Sequence, residues 1–75
     1  MTGEMWLRAL ATELGVPAPT EQETTDLLAL ASIAAHASER VAAPLSCWMT
    51  ARAGIAPAEA LAVATRLAER TGDRD

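Results

Sequence analysis

An all-α domain of four helices is the fold class the sequence predicts, and three observations carry it. Gly and Pro fall at intervals that cut the 75 residues into four stretches of helical length. Within those stretches, apolar residues recur at spacings of three and four. Strand signals are almost absent: there are few Val or Ile, no apolar-polar alternation and no Asn-Gly turn. A chain of this length makes one small domain at most.

The first helix is predicted over residues 3–14. Thr2 is placed to cap it, and Gly15 stands where a left-handed C-terminal residue belongs. Val16 to Pro19 form a short Pro-containing connection. Thr20 opens the second helix, predicted over 21–40. Glu23 follows three residues later, which is the capping-box spacing, and Glu21 and Glu23 suit the positive helix N-terminus. The third helix is predicted over 44–53, with Pro44 at its first position and Gly54 ending it. Ala56-Pro57 repeats the device, so the fourth is predicted over 57–71, with Gly72 beyond and residues 73–75 as a frayed tail.

A helical wheel assigns each helix a face. Trp6, Leu7, Leu10 and Leu14 cluster on the first. Leu45, Trp48, Met49 and Arg52 share one side of the third. Ala60, Leu61, Ala64, Leu67 and Ala68 cluster on the fourth, opposite Glu59, Arg66 and Arg70. The second helix is apolar over most of its circumference: Leu27, Leu30, Ala31, Ala34 and Ser38 lie on its main face, with Leu28 and Ile33 on the flanks. This width predicts a central helix packed by several neighbours in a compact arrangement. Both tryptophans lie on apolar faces and are expected as core anchors; exposed, either would mark an interface.

Composition narrows the function. Hydrophobic residues are 51% of the chain, yet alanine supplies nearly half of them, and Phe and Tyr are absent. Alanine faces bury little area per residue, so self-association is an expected source of additional burial. A net charge of −4 argues against broad nucleic-acid binding. The single cysteine, Cys47, excludes an internal disulfide and fits a reducing compartment. With no secretory signal and no apolar run long enough to span a membrane, a cytoplasmic location is expected.

Few residues suggest chemistry. His36 and Cys47 are the candidate pair for an enzyme, but nothing in the sequence supplies an oxyanion hole. One His, one Cys and scattered carboxylates do not make a metal set, and no Gly-rich phosphate loop is present. No catalytic residue, metal or cofactor is therefore assigned. His36 and Arg40, four residues apart, are expected to share a helix face and are candidate anion-binding residues with Ser46. Leu28 and Ile33 are the candidate interface residues. A helix-turn-helix with Thr50 and Arg52 on a recognition segment is the alternative.

One resemblance extends this reading. Its residues are Trp6-Leu7 through Leu14-Gly15-Val16, Leu27 to Ala31, Ala34-Ala35-His36, Arg40, and Ala42-Ala43-Pro44-Leu45-Ser46. This pattern resembles a family of small actinobacterial helical domains of unknown function, found alone or fused after the nucleotidyltransferase domain of molybdenum cofactor guanylyltransferases. The chain departs from it at Ile33, where members often carry an acidic residue, and at Val41, where they commonly place Pro. The resemblance implies a stand-alone member linked to molybdenum cofactor biosynthesis and carries over no transferase activity. The expectation is a non-enzymatic accessory or protein-interaction domain. Its partner is a homodimer mate or another protein, such as a molybdenum cofactor guanylyltransferase. A small DNA-associated regulator is the alternative.

Overall fold

The computed structural model describes residues 1–72 of the chain; the expected frayed tail, residues 73–75, lies outside the described residues. It contains four helices in sequence: α1 Gly3–Leu14, α2 Glu21–Ala37, α3 Ala42–Ala53 and α4 Pro57–Gly72. Among the described residues there is no strand. The all-α, four-helix expectation holds.

Local chemistry explains most of the boundaries. Thr2 caps α1, its Oγ1 accepting from the Met5 amide at 3.1 Å. Gly15 closes the helix at φ 74°, and the Val16 amide returns to the Ala11 carbonyl at 3.0 Å. The capping box at α2 is complete. The Glu23 amide donates to Thr20 Oγ1 at 3.0 Å, and the Thr20 amide to Glu23 Oε1 at 2.8 Å. Thr20→Ala is expected to cost about 1 kcal/mol, read as a lower urea midpoint. Gly54 ends α3 at φ 72°. Gly15→Ala is expected to cost roughly 1–2 kcal/mol in the same assay. Strain at positive φ would cause that loss rather than a clash, because a Cβ there meets nothing within 4 Å.

The junction between α2 and α3 differs from the sequence expectation. α2 ends at Ala37, before Arg40. Ser38 is the reason: its backbone leaves the helical region at φ −141° and ψ −98°, and its Oγ donates to the Ala34 carbonyl at 2.7 Å. Helix α3 begins at Ala42 rather than Pro44. The Ala42 and Ala43 amides donate to the Glu39 and Arg40 carbonyls, so a tight turn already points the chain into the helix. Pro44 then sits within the first turn, where its missing amide loses no helix bond.

Helices α2, α3 and α4 form the body, with α2 packed against both α4 and α3. Leu30 is the buried residue of α2, at 4% exposure, and Ala60 is buried on α4. Leu61, Ala64 and Ala68 are half-buried, while Glu59, Arg66 and Arg70 are exposed. Leu67, on the same face, is 50% exposed, so the wheel of α4 matches its packing except at Leu67. Thr50 is buried on α3 and satisfies its hydroxyl by donating to the Ser46 carbonyl at 3.0 Å.

The other two amphipathic faces do not pack as the sequence suggested. On α1, Ala11 is buried, whereas Trp6, Leu7, Leu10 and Leu14 are all exposed. On α3, Leu45, Trp48 and Met49 are exposed together with Val41 at its N-terminus. Trp6 at 56% and Trp48 at 63% exposure are not core anchors, and α3 does not use Trp48 and Met49 to cover α2. The wheel identifies an apolar face, but not which neighbour covers it.

Candidate functional site

The polar candidates do not converge. His36 lies on the last turn of α2 and is exposed. Its Nδ1 is 2.7 Å from the Ser32 carbonyl oxygen and 3.3 Å from Ser32 Oγ. A carbonyl only accepts, so a hydrogen bond here requires the proton on Nδ1. Arg40 lies in the turn beyond α2, so the two do not share a helix face. Among the described residues, the Arg40 guanidinium has no hydrogen-bond or ion-pair partner.

Ser46 lies elsewhere. It is half-buried on α3 and lines a groove of about 370 Å³ between α2, the start of α3 and α4. Leu30, Ile33, Ala34, Ala64, Leu67 and Ala68 form the apolar walls, and Ser38, Ser46 and Thr71 supply hydroxyls at the edges. Neither His36, Arg40 nor Cys47 lines it. Cys47 is a half-buried free thiol. Among the described residues, no cluster of three His, Cys, Asp or Glu side chains is positioned to hold a metal. No described helix is long and apolar enough to cross a membrane.

The apolar candidates separate as well. Ile33 lines the groove and Leu28 is exposed. At 100° per residue, Leu28 lies almost opposite Leu30, Ile33 and Ala37 around α2, so Leu28 and Ile33 belong to different surfaces.

Two exposed apolar surfaces stand out instead. The first is the α3 face of Val41, Leu45, Trp48 and Met49. Arg52 borders it with its guanidinium 5.5 Å from the Trp48 ring centroid. That contact favours one placement of the indole and is worth about 0.5–1 kcal/mol at an exposed site. The second is the α1 stripe of Trp6, Leu7, Leu10 and Leu14. Arg8, on another side of α1, is tied to Glu4 at 3.0 Å. The sequence signal for both surfaces is present in the wheels, which show an apolar face but not whether its cover lies in the same chain.

A family model described as Domain of unknown function (DUF6457) matches residues 1–75. No curated protein and no solved structure matches the chain.

Proposed function

The chain belongs to this family of domains of unknown function, and from that premise we propose that it is a non-enzymatic protein-interaction domain. Its binding surface is the α3 face of Val41, Leu45, Trp48 and Met49. The exposure of that face is the observation that supports the reading. Exposed apolar patches of this kind mark interaction sites, and Trp is enriched among the residues that dominate binding energy. The Arg52–Trp48 contact favours one placement of the indole, which lowers the ordering cost of binding.

The proposed partner is a molybdenum cofactor guanylyltransferase. The support is the resemblance carried by His36 to Ser46, a stretch that runs directly into the α3 face. The fusion of the two domains in one chain that the resemblance implies favours their association as separate chains here. The DNA-associated alternative has less behind it, since Arg52 is engaged with Trp48 and Arg8 with Glu4.

Calorimetric titration of the chain into purified guanylyltransferase from the same organism tests this. Saturable binding is expected, weakened at least tenfold by Trp48→Glu, which corresponds to about 1.4 kcal/mol. Absence of binding by the wild type, or GTP turnover by the isolated chain that is lost in His36→Ala, would contradict it.

A further inference from the structure

We infer that the chain folds as a homodimer in which α1 of each copy lies in the α2–α4 groove of the other. This rests on the α1 stripe and the groove, not on the α3 face.

The first argument is area. The chain exposes 5882 Å². A folded monomer of 7.8 kDa is expected to expose about 4,400 Å². The excess, roughly 1,500 Å², approaches twice the ~800 Å² that a standard interface takes from one partner. Burial is correspondingly thin: among the described residues, Ala11, Leu30, Ala60 and Thr50 are the buried ones, and no side chain is below 2% exposure. Such a core does not offset the entropy of ordering the chain, and an isolated helix as short as α1 is marginal in water. The missing cover is therefore needed for folding itself. A second copy is the one partner present wherever the chain is made.

The second argument is the connection. Val16-Pro17-Ala18-Pro19 fixes φ at both prolines and restricts the residue before each to extended backbone. Its peptide bonds are all trans. The segment is a stiff strut of about 12 Å at the polyproline rise, and it opposes closure of α1 onto its own α2 as a tight hairpin. Only Ala11 of α1 is buried. By the helical period, Leu10, Leu14 and Trp6 lie away from the Glu4–Arg8 side that faces the start of α2.

The third argument is fit. Trp6, Leu10 and Leu14 of the α1 stripe are large, exposed side chains, whereas Leu7 lines the chain's own pocket against the start of α2. The groove is walled by Leu30, Ile33, Ala34, Ala64, Leu67 and Ala68, and no described side chain fills it. Leu7 to Leu14 spans about 10 Å of helix, as does Ala64 to Thr71 along the groove. Large side chains of a helix seated in an apolar groove are a recurrent mode of recognition. The reciprocal exchange gives a closed two-fold dimer.

Two measurements test this. Light scattering should give twice the chain mass for the wild type. Trp6→Glu combined with Leu10→Glu should shift it to the monomer mass, whereas Val63→Glu, outside the groove, should leave the dimer intact. Monomer mass for the wild type at high concentration would overturn the inference. The second measurement is oxidation of Leu10→Cys with Ile33→Cys in a Cys47→Ser background, where a disulfide-linked dimer is expected. A 10–33 bond within one chain, or crosslinking by Leu10→Cys alone, would overturn it. Trp48→Glu should leave the dimer unaffected, so loss of guanylyltransferase binding and loss of dimerisation are read separately.

Discussion

Leu30→Ala should remove most of the folded protein. Leu30 is the one large side chain among the buried residues, and it also lines the groove between α2 and α4. Truncating a buried leucine costs about 2–5 kcal/mol, the spread reflecting how far the site collapses. Small domains have little more stability than that to lose. Urea unfolding followed by far-UV circular dichroism should show a collapsed midpoint or no folded baseline. A midpoint equal to the wild type would show that the α2–α4 contact is not where the fold is held.

The second large effect is expected on the opposite side of the same contact. Ala60 is buried on α4, on the helical face that also carries Ala64, which lines the groove against α2. Small residues there let the two helices approach closely. Ala60→Leu adds volume at a contact with no room assigned to it and should cost about 1–3 kcal/mol. Ala62→Leu places the same bulk on the exposed side of α4 and should be close to neutral. Comparison of the two in the urea assay separates helix packing from helix propensity, since the substitution is chemically identical. Equal midpoints would contradict the packing.

The sequence carried the local structure further than the tertiary structure, for physical reasons visible in particular residues. Gly15, Gly54, Thr20 and Glu23 act on their own neighbours through φ or a hydrogen bond, so their roles follow from spacing alone. Ser38 defeated the same approach. Its back-bond to Ala34 ends α2 early, and serine is compatible with either outcome until the neighbouring turn is known. That early end places Arg40 in a turn and separates it from His36. On α4, the periodic face was legible and its burial followed at Ala60, Leu61, Ala64 and Ala68 but not at Leu67. On α1 the periodicity was equally clear, and α3 carried a weaker apolar face, but Trp6 and Trp48 are exposed. Periodicity reports that a face is apolar and carries no information on whether its cover lies in the same chain. The groove was not legible, because it joins residues from three helices and Ser46 reaches it from the one least amphipathic by sequence.

The central claim is that the apolar stripe of α1 is covered by a second copy and that this cover is part of the fold. Thermal unfolding measured across a hundredfold range of protein concentration addresses it most directly. Folding coupled to dimerisation gains about 2.7 kcal/mol per dimer over that range, and the midpoint should rise by roughly 5–10 °C. A midpoint independent of concentration, with a cooperative transition retained, would show that one chain folds alone and that the stripe is not covered by its twin.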